Sequence, residues 1–218
     1  MHGMAGSYRA ATGAEATQSG DSMPAAGLPE RKSALRRRLL AARSAMSESE
    51  RVAAGRALRD AVLDLPEAGM AGVIAAYLSI GTEPATAALV YAFYKRGSYV
   101  LLPVLREDND LDWVSYEGPD SLAPGPHGLL QPTAPRRGTA AITSADIVIV
   151  PALAVDRSGN RLGRGGGSYD RALARVGGAV PTIALLHESE LLDEVPAGPH
   201  DQRVRAVVQP VTGISRLA

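Results

Sequence analysis

Ten consecutive residues, Arg161-Leu162-Gly163-Arg164-Gly165-Gly166-Gly167-Ser168-Tyr169-Asp170, combine four glycines, two arginines and one carboxylate. Glycine has no Cβ to hold the backbone away from a ligand's oxygens. It also accepts the positive φ angles that gather successive N–H groups into one concavity. Arg161 and Arg164 add permanent positive charge in a planar fork suited to phosphate oxygens. A bare glycine run reads equally well as a mobile turn, but this one follows the apolar run DIVIVPALAV (146–155) and precedes a helical pattern that Ser168 is expected to cap. That context predicts a phosphate-binding loop aided by a helix N-terminus. Asp170 has two readings, a carboxylate favouring the helix dipole or a ligand for Mg²⁺ beside a polyphosphate. Tyr169 stacks on a ring or packs beneath the loop.

The motif is no Walker loop, because GxxxxGK[ST] is absent from the chain. Gly163, Gly165 and Ser168 approximate a dinucleotide fingerprint, with Glu188 as a possible ribose-binding acid. The first glycine, however, falls about eight residues past the strand end instead of in the tight turn, and the third position is serine. A second charged constellation lies at residues 31–43, where Arg31, Lys32, Arg36, Arg37, Arg38 and Arg43 occur with no acid among them. Lys32, Arg36 and Arg43 share one helical face, and a uniform basic stripe repels itself unless anions offset it. A solvated face or an RNA-binding patch is the alternative.

Positioning these groups requires a scaffold. After Pro29, apolar Ala34, Leu35, Leu39, Ala42 and Met46 recur at helical spacing, and Ser47 with Glu50 forms a capping box for a second helix running toward Leu65 and stopping at Pro66. Short Val- and Ile-rich runs at 72–80, 98–105, 146–155, 181–187 and 205–211 read as strands buried on both faces. Helical patterns at 85–97 and 168–178 lie between them, each closed by glycine. The alternation predicts an α/β fold: a three-layer αβα, Rossmann-like arrangement with a mostly parallel sheet and helices on both faces. Residues 106–145, with a hairpin-like DNDLDWVSY and a Pro/Gly-rich stretch, read as a long surface excursion, in which the sole tryptophan, Trp113, reads as core. Residues 1–27 lack periodicity and read as a disordered leader, leaving residues 28–218 as one domain.

Lys plus Arg equal Asp plus Glu at 23 each, so the chain has no basic excess of the kind nucleic-acid binding requires. Without cysteine there is no disulfide, thiolate nucleophile or Cys-based zinc site, which suits a cytoplasmic protein. The four histidines, His2, His127, His187 and His200, are scattered. The sequence contains no apolar run of about 18 residues and no secretory signal pattern, so no membrane partner is expected.

Three segments together resemble the 5-formyltetrahydrofolate cyclo-ligase (methenyltetrahydrofolate synthetase) family. They are K-x-x-x-R at Lys32 to Arg36, LSIGTEPAT from Leu78, and PALAVDRSGNRLGRGGGSYDRAL from Pro151; His200-Asp201 ahead of the final strand also fits. The long, ordered glycine motif is the most specific of these. The resemblance spans about residues 30 to 210 and implies an ATP- and Mg²⁺-dependent ligase that converts 5-formyltetrahydrofolate, possibly polyglutamylated, into 5,10-methenyltetrahydrofolate, ADP and phosphate. It implies that ATP is held by Lys32, Ser33, Ala34, Leu35 and Arg36 together with Arg161 to Tyr169. It also implies that Asp170 and Asp201 hold the metal, that Leu78, Glu83, Arg164 and Tyr169 meet the folate, and that Lys32, Arg36 and Arg164 serve catalysis. A monomer is expected. Two other readings stay open: a phosphometabolite sensor without turnover, and a nicotinamide-dependent oxidoreductase.

Overall fold

The computed structural model describes residues 27–125 and 130–217; the predicted leader, apart from Gly27, lies outside the described residues. Helix α1 (Leu28–Ala45) carries Pro29 in its first turn, where a missing N–H removes no intrahelical bond. Ser47 caps α2 (Glu48–Leu63). Its hydroxyl accepts from the Glu50 amide at 3.2 Å, and Glu50 Oε2 accepts from the Ser47 amide at 2.7 Å. Pro66 does not merely end this helix, since it opens a further short one, α3 (Pro66–Met70).

The remaining α-helices and strands in chain order are β1 (Val73–Ala75), α4 (Ala87–Lys95), β2 (Tyr99–Leu105), β3 (Leu111–Ser115), β4 (Leu122–Pro124), β5 (Leu130–Pro132) and β6 (Ile147–Pro151), with 3-10 turns at Pro119–Ser121 and Thr139–Ser144. After them come β7 (Ala154–Asp156), β8 (Arg161–Leu162), α5 (Ser168–Leu173), β9 (Thr182–Leu185), β10 (Leu191–Leu192), β11 (Ala206–Gln209) and β12 (Gly213–Arg216). A 7-stranded sheet runs β12-β11-β9-β6-β1-β2-β3; its interior pairs are parallel and its two edge strands, β12 and β3, are antiparallel. A 3-stranded sheet, β10-β7-β8, and a hairpin, β4-β5, accompany it.

Alternate residues of each buried strand feed opposite cores. On one face Ile74, Val100, Ile149 and Ile183 pack with Leu58 and Val62 of α2 and Leu89 and Phe93 of α4. On the other, Leu101, Val148, Val150 and Ala184 pack with Ala172 and Leu173 of α5 and with Ile142. The result is a three-layer αβα sandwich with a mostly parallel sheet, as the βα rhythm predicts. Helix α1 stands apart from both layers, its Leu39 packing on Leu153, Ala154 and Leu162 of the small sheet.

Several boundaries differ from the sequence reading for identifiable reasons. The run 146–155 is two strands in two sheets: after Pro151 the chain leaves the main sheet, and Leu153 then donates its amide to Leu162. The run 72–80 is ladder only at Val73–Ala75, because residues beyond Ala76 bend into a turn knit by their own side chains. The stretch 106–145 is not wholly a surface excursion, since β3 is buried at every position and Trp113 is 0% exposed in the core. The last predicted helix is short, and its N-cap is Gly167 at φ 69°, a left-handed angle that the expected cap Ser168 would adopt only at a penalty.

Candidate functional site

Connections from β1 run to β2 on one side and, later in the chain, to β6 on the other, so strand order reverses around β1. Ligands of open α/β sheets bind beyond the carboxyl ends of the strands at such a reversal. A cleft of about 1510 Å³ lies there. Its polar wall is made by Lys32 and Arg36 of α1, the turn from Leu78 to Glu83, the glycine loop from Arg161 to Arg171, and His200 to Gln202. Its apolar wall comes from Tyr91, Leu102, Leu111, Tyr116, Leu122 and Leu130. The predicted excursion thus contributes four of these six apolar residues, Leu111, Tyr116, Leu122 and Leu130, with Tyr91 coming from α4 and Leu102 from β2.

The glycine loop leaves the β7–β8 hairpin and enters α5. Arg36 Nε donates to the Gly163 carbonyl at 2.9 Å and Arg171 Nη2 to the Gly166 carbonyl at 3.0 Å, so two carbonyls are pinned on the protein side. Among the described residues, the backbone amides of Gly163 through Gly167 donate no hydrogen bond. Unpartnered donors beside a cleft and next to arginines are groups that could receive an anion. Gly165 and Gly167 hold φ of 111° and 69°. At Gly163 an added Cβ would lie 2.8 Å from Arg161 Nη1, so the guanidinium that pairs with Asp170 would have to shift to admit it. The helix dipole adds little, because α5 has 6 residues.

Protein acceptors engage all three cations on the basic face of α1, although Arg43 Nη1 is buried without a partner among the described residues. Lys32 Nζ sits 2.5 Å from Asp201 Oδ2, Arg36 holds Gly163, and Arg43, 1% exposed, makes a two-bond pair with Glu190 at 2.6 and 2.8 Å. Breaking such a buried pair costs about 3–5 kcal/mol because one charge is left uncompensated. Ser33 and Ala34 are exposed and Leu35 packs beside Leu39, so none of these three borders the cleft.

Three ion pairs divide the remaining charges. Arg161 Nη2 donates to Asp170 Oδ1 at 2.7 Å, Arg164 Nε to Glu83 Oε1 at 3.0 Å, and Lys32 to Asp201 as above. Each joins a predicted phosphate-binding cation to a carboxylate predicted to hold metal or folate. Burial raises the Asp201 pKa, but the Gly198 amide, Lys32 and Arg161 together outweigh it and hold the carboxyl below its ordinary value. The Gln202 amide donates to Asp170 Oδ1 at 3.1 Å, which brings the two aspartates to one place. All these contacts fall on Asp170 Oδ1 and Asp201 Oδ2, so one oxygen of each carboxylate stays outside them. Two hard oxygen donors beside the glycine loop are groups that could hold Mg²⁺, which binds through one or two carboxylates plus substrate phosphates and water.

Glu83 sits in a turn that is internally bonded: Ile80 donates to Glu83 Oε2 at 2.9 Å, and Thr86 Oγ1 accepts from Ser79 at 2.8 Å while donating to the Tyr77 carbonyl at 2.6 Å. Tyr169 packs on the second core with the Arg161 guanidinium 6.0 Å from its ring centroid, which favours the packing reading over ligand stacking. Burial, then Glu83, pushes its phenol pKa far up. Glu188 receives the amides of Val211 and Thr212 and lies off the cleft, so it is not placed to bind a ribose there.

Sequence reasoning missed the apolar wall and the buried residues behind the site. Tyr91, one turn after Ala87, and Tyr116, just past β3, enter the cleft through helical phase and sheet register. Alternation around β2 and β3 was the available signal. His187, read only as one of four scattered histidines, lies behind the Glu83 turn.

The profile of the 5-formyltetrahydrofolate cyclo-ligase family matches residues 29–210. A relative from Mycolicibacterium smegmatis named 5-formyltetrahydrofolate cyclo-ligase is 41% identical over 194 residues, covering 87% of this chain and 98% of the relative. The Escherichia coli K12 protein of the same name is 28% identical over 171 residues, covering 77% and 94%. The NMR structure of Aquifex aeolicus 5,10-methenyltetrahydrofolate synthetase superposes with a TM-score of 0.74 at 26% identity, covering 85% of this chain and 92% of that one.

Proposed function

The chain belongs to the 5-formyltetrahydrofolate cyclo-ligase family of enzymes, and on that premise we propose that it closes 5-formyltetrahydrofolate to 5,10-methenyltetrahydrofolate at the expense of ATP, releasing ADP and phosphate. The observation that carries the ATP requirement is the glycine loop, with five successive amides lacking an intramolecular acceptor among the described residues, flanked by Arg36, Arg161 and Arg164. Nucleotide phosphates lie along this loop and Lys32. Asp170 and Asp201 would hold Mg²⁺, whose charge would offset that of the phosphates. The folate ring occupies the apolar wall, with Glu83 accepting hydrogen bonds from its N–H groups. Residues 28–218 act as one catalytic domain.

The chemistry needs no protein nucleophile, which agrees with the absence of cysteine. The formyl oxygen attacks the γ-phosphorus and ADP departs. The activated formyl carbon is then attacked by N10 of the same folate; the new C–N bond closes the ring, the N10 proton is released, and phosphate leaves with the former formyl oxygen. The protein's part is placement and charge stabilisation: loop amides and arginines fix the γ-phosphate in line, and Glu83 orients the acceptor. A cleft of about 1510 Å³ holds both substrates at once, which transfer between them requires.

Mixing protein, Mg-ATP and 5-formyltetrahydrofolate should generate the absorbance of the methenyl product with one phosphate released per turnover. Nucleotide binding without phosphate release would instead assign the chain to a sensor.

A further inference from the structure

Residues 80–83 bring Glu83 to the cleft, and among the described residues two hydrogen bonds tie them to other elements. One is Arg164 to Glu83, on the cleft side. The other lies behind: His187 Nε2 meets the Thr82 carbonyl at 3.2 Å. A carbonyl can only accept, so the ring is the Nε2–H tautomer and its Nδ1, buried and without a partner among the described residues, is left as a lone pair. His187 is 4% exposed. Burial lowers its pKa, in keeping with a neutral ring that donates once.

The histidine is itself held. Glu190 Oε2 accepts the His187 amide at 2.8 Å, and Glu190 is gripped by Arg43, whose Nη2 also donates to the Ala152 carbonyl at 2.6 Å. Arg43 lies on α1, the helix that carries Lys32 and Arg36 to the other end of the cleft. A continuous buried chain, Arg43 to Glu190 to His187 to Thr82, therefore links the nucleotide-side helix to the turn bearing Glu83.

We infer that His187 is a positioning residue for the folate subsite, its Nε2–H fixing the Thr82–Glu83 turn so that the Glu83 carboxylate meets the substrate. The inference rests on the folate reading of Glu83. It predicts a selective defect, since His187 touches neither the glycine loop nor the aspartates.

The test compares His187→Leu with His187→Gln, whose amide nitrogen places a donor near the Nε2 position. His187→Leu should raise the KM for 5-formyltetrahydrofolate about tenfold and leave the KM for ATP within about twofold, with His187→Gln recovering most of the loss. Without any ligand, the amides of Ile80 and Glu83 should exchange with deuterium about fivefold faster in His187→Leu than in the parent chain, and His187→Gln should restore protection. Unchanged exchange at those amides overturns the inference. Equal rises in both KM values, unrelieved by glutamine, overturn it as well. A parent chain that makes no methenyl product, with the exchange pattern as stated, refutes the proposed reaction and leaves the positioning role standing.

Discussion

Arg164 and Glu83, 81 residues apart in sequence, meet at 3.0 Å and join the glycine loop to the turn after β1. The pair bridges the two halves of the cleft, so each partner should report on a different substrate. Arg164→Ala should lower kcat about a hundredfold, the usual consequence of removing one donor from a developing charge. Glu83→Gln should raise the KM for 5-formyltetrahydrofolate about tenfold. A double variant whose loss departs from the product of the two single losses would measure their coupling. Near-normal turnover in Arg164→Ala would take that arginine out of the phosphate site.

Backbone conformation in the loop makes a second prediction. Gly165 holds φ at 111°, and an added Cβ would lie 3.4 Å from Arg36 Cζ; at Gly166 an added Cβ would make only an ordinary contact, 3.5 Å from Ser168 Oγ. Gly165→Ala should therefore raise the KM for ATP about tenfold or more and lower stability by about 1–2 kcal/mol, while Gly166→Ala remains close to the parent in thermal stability. Identical stability losses at the two positions would contradict the conformational argument.

The aspartates predict metal dependence. Asp170→Asn and Asp201→Asn should each raise the Mg²⁺ concentration for half-maximal turnover about tenfold or more, since on the proposed assignment each would remove one anionic ligand. Steady-state rates across a Mg²⁺ titration decide this, and an unshifted curve in both variants places the ion elsewhere.

Acid stability should depend on Asp110. Arg175 holds its carboxylate with two bonds, at 3.0 and 2.5 Å, tying the segment just past α5 to the residue before β3. The Arg175 hydrogen bonds, opposed by burial, keep its pKa below the ordinary value. A depressed folded-state pKa contributes stability that is full above the unfolded value and is lost as pH falls through the folded one. Asp110→Asn should cost about 1–3 kcal/mol at neutral pH and flatten the decline in melting temperature below about pH 4. An equally steep acid limb in the variant would assign the decline to other carboxylates.

Much of this architecture was legible one residue at a time. The capping box at Ser47 and Glu50 appears as read, because capping is local and depends on residues three apart. The buried β runs, the αβα class and the glycine loop were likewise carried by periodicity and residue type. Strand limits were less legible: Ile147 through Val155 is apolar throughout, and nothing in that pattern marks where Pro151 turns the chain from one sheet to another.

What the residues determined alone was chemistry: a backbone able to take positive φ, guanidinium groups beside it, carboxylates of the kind that bind hard cations, and no thiol. Tertiary structure decided pairing. It turned the apparently self-repelling stripe of α1 into three satisfied contacts, with Asp201, Gly163 and Glu190, and it set His187 behind Thr82. The physical reason is range. Capping, helix phase and glycine conformation act within a few residues, whereas an ion pair such as Arg43 with Glu190, 147 positions apart, exists only once the sheet order has brought the two segments together.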